Sequence, residues 1–475
     1  MDKAGQDRET AVRSYGALRE QIAFDPANPK ATLSSLPQTS AVFALYGPDA
    51  HEVPYIGRTP NLRSRLERLL QPSPKHPRRL QLAGRVRRIA WRLTGSEFES
   101  LLVQFELLQN VYGAKALERM HLRHPAFVRF LGGNPYPRVT VTFRPSLRQA
   151  DWAYGPFPSR AAAERFIDEA LKLFLLRRCT FELAPDPGYP GCVYSEMKMC
   201  LAPCFKGCTD ARYAEEASAV EQFLATRGES RLAILRAERD QASANLEFER
   251  AAALHAQAQR VESVRALAAE LVRPLSRLRA VILQPSANSD EVALFLFENG
   301  RLRGPAAFST LGMRIQNEQS GSSSLFAQPM AVEPVPEETG NREPGRGNRD
   351  QGMEIGIQGS TSTDEGSEKT DEGSAVIGAT GSEAHARVSR QAAKLARGML
   401  ESRLDDVLAA LSQPAALPSA TERQGHLALL KRWYYRPEGR RTGEIFFSDA
   451  EGHWPVKAVL RGIGRVAAKM LATGA

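Results

Sequence analysis

The sequence predicts an α+β protein built from several domains, and three observations lead to this fold class. A chain of 475 residues with 42% hydrophobic residues is too long for one core and suits two to four domains. Short runs of strand-like sequence, such as AVFALY at 41–46, alternate with amphipathic helical patterns. All five cysteines lie between Cys179 and Cys208, which indicates thiols that act together rather than scattered core residues.

Composition and terminal sequence exclude several classes of protein. No apolar run approaches the roughly 18–20 residues that cross a bilayer. The first residues, MDKAGQDRETAVRSYG, lack the apolar stretch of a secretory signal. We therefore expect a cytoplasmic protein without a membrane partner. In such a chain, clustered cysteines indicate a metal or iron–sulfur site more than a disulfide framework.

Changes in composition and pattern divide the chain into seven expected segments. The stretch rich in Ser, Gly, Glu and Thr cannot bury enough apolar surface to order itself, so it is predicted to be disordered. The segments are a flexible arm (1–38), a small α/β domain (39–125), a cysteine-rich cluster module (134–210), a helical hairpin (211–273), a strand-rich segment (279–312), a disordered linker (315–385) and a small C-terminal helical and α+β module (386–475).

The α/β domain has clear local signals. Strands are expected at 41–46, 53–57 and 86–93, and Asn61 is suited to cap the helix that ends near Leu70. Ser96 followed by Glu99 predicts a capping box for a second, longer helix. The expected apolar face of that helix consists of Phe98, Leu101, Leu102, Phe105 and Leu108.

A strongly basic stretch runs from Arg58 to Arg92. It contains eleven Lys or Arg residues and one acid, Glu67. Such a stretch can be a solvated face, but so many arginines favour contact with a phosphate backbone, which makes DNA the expected partner. The expected DNA-binding residues are Arg58, Arg63, Arg65, Arg78, Arg79, Arg85, Arg87 and Arg88.

The segment VPYIGRTPNLRSRL resembles the GIY-YIG nuclease superfamily. Further segments resemble the UvrC family, which supplies the incision subunit of bacterial nucleotide excision repair, and the resemblance spans residues 40–265. It implies an endonuclease fold, DNA repair linked to the SOS response, and DNA as substrate. The segments are SEFESLLVQFELL, NPYPRVTVTF, WAYGPFPSRAAAERFIDEALKLFLLRRC, the cysteine block with CLAPC, and NLEFERAAALHAQ.

The resemblance assigns roles to four residues of the α/β domain. Tyr55 would help to activate water, Arg65 would bind the scissile phosphate, Arg58 would line the site and Asn61 would begin the first helix. The plainer interpretation makes Tyr55 a half-buried strand aromatic and Arg65 a surface charge.

Two positions depart from the family pattern. Phe43, eleven residues before Tyr55, replaces a tyrosine and lacks its hydroxyl. Gln104 replaces the glutamate that holds Mg²⁺ or Mn²⁺ in the family, and an amide brings no charge to a hard cation. We therefore expect a domain that binds DNA without cutting it. The alternative is an active, metal-dependent endonuclease that nicks damaged DNA.

The cysteine pattern is intact by comparison. Cys179, Cys192, Cys200 and Cys204 are separated by twelve, seven and three residues. Four thiolates suffice for Zn²⁺ or for a [4Fe–4S] cluster, and the resemblance to UvrC favours the cluster. Cys208 is a bystander or an alternative ligand. Free buried cysteines remain the plainer interpretation.

The segment NLEFERAAALHAQAQRVESV resembles the UVR motif, through which UvrC binds UvrB. Leu246, Phe248 and Ala252 are the expected partner-binding residues, and they are also expected in the apolar seam of the hairpin. An ordinary hairpin without a partner is the alternative. At the C-terminus, the turn GIG at 462–464 resembles a helix-hairpin-helix, although an amphipathic helix is favoured.

Overall fold

The computed structural model describes residues 18–49, 52–70, 82–311, 313, 380–413 and 416–473. It confirms a multidomain α+β fold with three antiparallel four-stranded sheets in the described residues. The described residues up to 313 and from 400 onward form one compact unit, whereas residues 380–399 belong to a second. Among the described residues, no helix combines the length and the apolar character that a bilayer span requires.

The first sheet contains β1 (Glu20–Ala23), β2 (Ala41–Tyr46), β3 (Tyr55–Thr59) and β4 (Arg88–Leu93) in the order β1-β4-β2-β3. The expected flexible arm is wrong from residue 18 onward, because β1 pairs with β4 and a short helix, α1 (Pro29–Ser34), follows it. Phe24, Leu33 and Leu36 are buried and supply the apolar surface that orders this segment. Residues 1–17 lie outside the described part. Residues 18–125 are called the nuclease-like domain below.

Two helices cover the two faces of this sheet. Helix α2 (Leu62–Leu70) lies on the face that carries Phe43, and Asn61 caps it as predicted by accepting the Ser64 amide at 3.0 Å. Helix α3 (Glu97–Tyr112) packs Val103 and Leu107 on the opposite face. The short helix α4 (Ala116–Arg119) follows it.

The second sheet contains β5 (Ala126–Phe130), β6 (Val139–Thr142), β7 (Ala153–Phe157) and β8 (Arg273–Pro274), in the order β6-β5-β7-β8. Its first strand begins before the expected start of the cysteine-rich module at 134, and its last lies beyond the helical region. Helix α5 (Arg160–Ala170) covers one face, and the short α6 (Val193–Glu196) lies within the cysteine loop.

Three helices replace the expected two-helix hairpin: α7 (Asp210–Ala225), α8 (Glu229–Ala244) and α9 (Phe248–Arg265). Gly228, with φ of 83°, allows the turn between α7 and α8. Helices α8 and α9 pack through a seam of buried apolar residues. The seam consists of Leu232, Leu235, Ala242, Leu254, Ala258 and Val261.

The third sheet joins two segments that the sequence analysis separated. It contains β9 (Ala280–Pro285), β10 (Glu291–Glu298), β11 (Arg301–Ser309) and β12 (Glu444–Phe447), with β12 paired antiparallel to β9. Side chains from both faces of β9 are buried, so a fourth strand and two helical layers are needed to cover it. The expected strand-rich segment and C-terminal module are therefore one structure. The expected disordered linker lies outside the described residues up to 379.

Helices cover both faces of the third sheet. Residues 400–411 of α10 (Thr380–Leu411) and helix α12 (Val456–Thr473) pack on one face. Helix α10 begins six residues before the predicted start of the C-terminal module. Helix α12 runs unbroken through the GIG sequence, which excludes a helix-hairpin-helix there. Helix α11 (Ala420–Tyr434) packs on the other face. Short 3₁₀ turns occupy Gly113–Lys115, Leu147–Trp152, Leu171–Leu173, Pro203–Phe205, Leu275–Arg277 and Glu438–Arg440.

Helix α3 is buried on two sides, and this joins the nuclease-like domain to the C-terminal module. The apolar face predicted from the sequence packs on α11 and the third sheet. A Cβ on Gly425 of α11 would lie 1.9 Å from Cζ of Phe105, so the two helices approach through a glycine. The adjacent His426 is buried and makes an edge contact with the Phe105 ring. An all-round apolar helix of this kind requires cover on more than one side.

Candidate functional site

Strand β3 lies at the edge of the first sheet and presents the predicted site residues on opposite faces. Tyr55 and Gly57 share the face covered by α2, whereas Ile56 and Arg58 share the face covered by α3. The site expected from the sequence is therefore divided between two faces that meet only at this sheet edge.

On the α2 face, Phe43 is fully buried beside Tyr55, with ring centroids 6.1 Å apart. Gly57, directly opposite Phe43, is required there because a Cβ would lie 2.7 Å from the Phe43 ring. Arg65 is half-buried on α2, and no hydrogen bond or ion pair to its side chain occurs within the described ranges. Tyr55 and Arg65 thus lie on a strand and on the helix that covers its face. No direct hydrogen bond joins the two side chains, both of which belong to the described residues.

On the α3 face, arginines flank Val42 from both neighbouring strands. Arg58 of β3 and Arg92 of β4 lie opposite Val42 and therefore on the same face. Arg58 contacts Glu97 at 3.5 Å, and Arg92 contacts Glu99 at 3.5 Å. The first turn of α3 is thus held on the sheet by two Arg–Glu pairs.

Glu97 has a second and closer partner. Arg436, which follows α11, donates to both carboxylate oxygens of Glu97 at 2.7 and 2.8 Å. This two-pronged contact lowers the pKa of Glu97, since it favours the charged carboxylate. The carboxylate nearest to Arg58 is therefore already engaged by two guanidinium groups.

Gln104 lies on the flank of α3 that carries Glu97, about 10 Å further along the helix axis. No hydrogen bond to its amide occurs among the described residues. The other acids of the helix are occupied elsewhere. The carboxylate of Glu99 accepts the Gly95 amide at 3.0 Å, and burial raises the pKa of Glu106 to about 7. The residues present do not provide the carboxylate set that Mg²⁺ or Mn²⁺ prefers.

The predicted DNA-binding arginines separate into two groups at opposite ends of the sheet. Arg58 lies opposite Val42, whereas Arg88 lies opposite Tyr46 and stacks over its ring at 4.2 Å. Several others bind protein atoms: Arg63 donates to the Leu36 carbonyl, Arg85 pairs with Glu52, and Arg87 donates to the carbonyls of Gly84 and Val86. Arg78 and Arg79 lie outside the described residues. Some arginines of the basic stretch thus form contacts within the protein itself.

The cysteine loop brings the four predicted ligands together. The charges that act on the Cys200 thiol come from Cys179, Cys192 and Cys204. These are the three cysteines that the sequence analysis grouped with Cys200. The pKa of Cys208 is raised by burial and by the nearby Asp210 and Cys204, and Cys208 is not among the charges that act on Cys200. Burial raises the pKa of Cys200 to about 11, so its thiol is protonated at neutral pH unless a bound metal displaces the proton.

The backbone around the cysteines is shaped for sulfur ligands. The Ala202 amide donates to the Cys200 sulfur at 3.3 Å, and Ala202 has a left-handed φ of 55°. The hydroxyl of Ser195 accepts the Cys192 amide at 3.0 Å, which fixes the loop at that ligand. Hydrogen bonds of this kind orient metal ligands and stabilise anionic sulfur.

A buried arginine faces the same centre. Arg177 is 1% exposed, and its guanidinium donates to the Tyr136 and Phe181 carbonyls and to the Cys179 sulfur at 3.6 Å. Its Nη2 atom has no hydrogen-bond partner. A buried guanidinium without a carboxylate is costly, and an anionic metal–thiolate group would balance it. The donor set therefore fits such a group.

The cysteine sulfurs do not form a close group of three in the described residues. Four sulfurs on a single Zn²⁺ with bonds of about 2.3 Å would lie about 3.8 Å apart. In the part of the chain that the structure describes, no three cysteine sulfurs lie within 4.8 Å of one another. The group that meets this limit there is Asp449, Glu451 and His453, all exposed on one loop.

The helical region presents an apolar tip. Leu246, in the turn between α8 and α9, and Phe248, the first residue of α9, are 72% and 65% exposed, and Ala252 is also exposed. Their expected place in the hairpin seam is therefore wrong, because the seam is filled by other residues. Exposed apolar residues at a tip are available to a partner instead.

Two residues of these sites were missed in the sequence. Arg177 stands two residues before Cys179, and a basic residue this close to the first ligand is a signal that could have been used. Arg436 has no comparable signal, since only the packing of α11 on α3 brings it to Glu97.

Comparison with known proteins supports the resemblance in its central part. The model of the UvrC/Cho excinuclease middle domain matches residues 128–223, which contain most of the second sheet apart from β8, the cysteine loop and most of α7. No solved structure matches the chain.

Several curated relatives carry the name UvrABC system protein C. The protein from Ruminiclostridium cellulolyticum is 28% identical over 61% of this chain and 47% of its own length. Those from Pseudomonas protegens and Carboxydothermus hydrogenoformans are 29% and 27% identical, over 49% and 59% of this chain. The matches thus span less than half the length of these relatives. The family model and these relatives agree, and the chain is a UvrC-like protein.

Proposed function

We propose that this chain is a DNA-binding protein of the nucleotide excision repair type, whose nuclease-like domain holds DNA without cutting it. The observation that carries the proposal is the use of the α3 carboxylates. Glu97 is bound by Arg58 and Arg436, Glu99 binds the Gly95 amide, and the metal-ligand position holds an amide at Gln104. Two of the three acids of α3 are thus engaged by protein groups, and the ligand position itself carries no charge.

A plasmid-nicking assay with Mg²⁺ or Mn²⁺, combined with a DNA-binding measurement, tests this proposal. We expect the purified protein to retard plasmid DNA and to leave it supercoiled. Clean nicking that is abolished in both Tyr55→Phe and Arg65→Ala would contradict the proposal, because it would assign cutting to this site.

The active endonuclease is the second candidate, and the intact scaffold favours it. Asn61 caps α2, Tyr55 stands on the edge strand and Arg65 lies on α2, as the GIY-YIG pattern requires. Gln104→Glu separates the two candidates. If the variant nicks DNA in the presence of metal and the wild type does not, then only the metal ligand is missing from the wild type.

For the cysteine centre, we propose a [4Fe–4S] cluster held by Cys179, Cys192, Cys200 and Cys204, with Zn²⁺ as the alternative occupant. The contact between Arg177 and the Cys179 sulfur supports an anionic group, and the resemblance to UvrC favours the cluster over one zinc ion. When bound, such a cluster would cross-link a loop with little core of its own.

Purification without oxygen tests the cluster. Brown protein with about four irons and four acid-labile sulfides per chain is expected. Colourless protein that holds one zinc per chain would contradict the iron–sulfur assignment.

For the helical tip, we propose UvrB as the partner. The exposed pair Leu246 and Phe248 offers an apolar contact to a partner helix. Phe248→Ser is expected to weaken UvrB binding at least tenfold in a titration. The matched control is Leu471→Ser, which alters a residue 52% exposed on α12. Equal effects of the two substitutions would contradict a specific tip contact.

A further inference from the structure

A basic cluster is formed where the C-terminal module meets the nuclease-like domain. Arg58 comes from strand β3, Arg432 from the last turn of α11, and Arg436 from the residues just after α11. All three lie around the single carboxylate of Glu97. We propose that this cluster binds a phosphate of the DNA backbone, so that α11 completes the DNA-binding surface of the nuclease-like domain.

The charge balance of the cluster points to an anion. Three guanidinium groups surround one carboxylate, which leaves two positive charges in excess. Burial lowers the pKa of Arg58, and the like charges of Arg432 and Arg436 lower it further, against the opposing effect of Glu97. A phosphate between them would relieve this repulsion.

Arg432 is the residue most available to a ligand. It is exposed, and its side chain has no hydrogen bond or ion pair within the described ranges. Arg58 and Arg436 are partly exposed, with 34% and 25% of their side chains accessible. The cluster therefore has an open side and is not a buried structural pair.

The end of α11 that carries Arg432 is held rigidly. The Lys431 ammonium donates to the Arg123 carbonyl at 3.1 Å, the Trp433 indole to the Thr442 carbonyl at 2.9 Å, and the Tyr435 hydroxyl to the Pro156 carbonyl at 2.9 Å. Binding groups on rigid elements lose little freedom when a ligand arrives. The backbone that carries Arg432 and Arg436 is thus fixed in position before DNA binds.

The chemistry of the cluster favours nucleic acid over other anions. All three cations are arginines, whose planar fork matches the oxygens of a phosphate. One member of the cluster, Arg58, lies on the same edge strand as Tyr55, although on the opposite face, within the fold that resembles a nuclease. A phosphate bound there would place the adjoining backbone along β3.

The inference rests on the proposed DNA binding, and a titration of a short fluorescent DNA duplex at several salt concentrations tests it. Arg432→Ala is expected to raise Kd about three- to tenfold and to reduce the salt dependence by about one phosphate contact. The matched control is Arg461→Ala, an exposed arginine on α12, which covers the opposite face of the third sheet. The control should leave Kd within about twofold of the wild type.

A change of opposite sign sharpens the test. Glu97→Gln removes the only carboxylate of the cluster and should lower Kd, whereas a purely structural role for the cluster would raise it. Equal effects of Arg432→Ala and Arg461→Ala would overturn the inference.

The failure of this inference differs from the failure of the proposed function. Wild-type protein that binds no duplex overturns DNA binding itself. Wild-type binding that is weakened by Arg58→Ala but not by Arg432→Ala overturns only the role of α11.

Discussion

The cysteine loop and the nuclease-like domain differ in what they retain of the UvrC pattern: the loop has the predicted ligand residues, and the domain has the fold. The loop has the four cysteines proposed as ligands, the amide directed at Cys200 and the buried Arg177 that faces Cys179. The nuclease-like domain keeps its sheet, its helices and the helix cap at Asn61, but it has an amide at position 104. Two acids of its long helix, Glu97 and Glu99, are bound by arginines and a backbone amide.

This difference teaches that a fold and its chemistry depend on different residues. Apolar burial across a whole sheet maintains the nuclease-like fold, and no single substitution removes it. Metal chemistry depends on a few charged ligands, so one change from carboxylate to amide alters it. The cysteine loop has little core, and its fold and its metal site therefore depend on the same residues.

The largest expected effect is the loss of a sulfur ligand. Cys200→Ser should abolish iron binding and destabilise the cysteine loop by several kcal/mol, since metal binding contributes directly to folding there. Cys208→Ser is the matched control and should retain its iron. Iron content and thermal unfolding of the two variants provide the measurement. Similar loss in both variants would break the distinction between Cys208 and the four ligands.

A smaller effect is expected at the contact between α3 and α11. Gly425→Ala places a Cβ against the Phe105 ring and should lower the free energy of unfolding by about 1–3 kcal/mol. Gly398→Ala in α10 is the control, because a Cβ there meets nothing within 4 Å. It should be neutral or stabilising by up to about 1 kcal/mol. Chemical denaturation of both variants tests whether this helix contact is formed.

The smallest expected effect is a pH dependence at Glu106. Its pKa is raised from 4.5 to about 7 by burial, so the folded state binds this proton more tightly than the unfolded state. The resulting stabilisation is complete below about pH 4.5 and is lost as the pH rises through 7. Its size should be on the order of 2 kcal/mol, since the side chain is partly exposed.

Glu106→Gln should remove this component of the pH dependence. Glu451→Gln, which alters an exposed acid, should leave it unchanged. Unfolding free energies measured between pH 5 and 8 provide the comparison. A steeper dependence in Glu106→Gln would contradict the burial of this carboxyl group.

Local patterns predicted much of the fold. Short-range rules predict the strands β2, β3 and β4 of the first sheet, the cap at Asn61, and the bond from the Glu99 amide to Ser96. All of these are present. The four cysteines were identified by spacing, and the structure brings them together.

Long-range pairing could not be predicted in the same way. The sequence of residues 20–23 does not predict that they pair with β4. The sequence of residues 444–447 likewise does not predict a strand beside β9. The apolar face of α3 was recognised, but the partner it covers lies more than 300 residues away in the chain. Sequence patterns show which surface is buried, and tertiary contacts decide what covers it.

Manganese binding at the edge of β3 tests the central claim most directly. Crystals of the wild type and of Gln104→Glu, soaked in Mn²⁺, can be compared by anomalous scattering. The account predicts no ion beside Tyr55 in the wild type and an ion in the variant. A fully occupied Mn²⁺ beside Tyr55 and Gln104 in the wild type would contradict it.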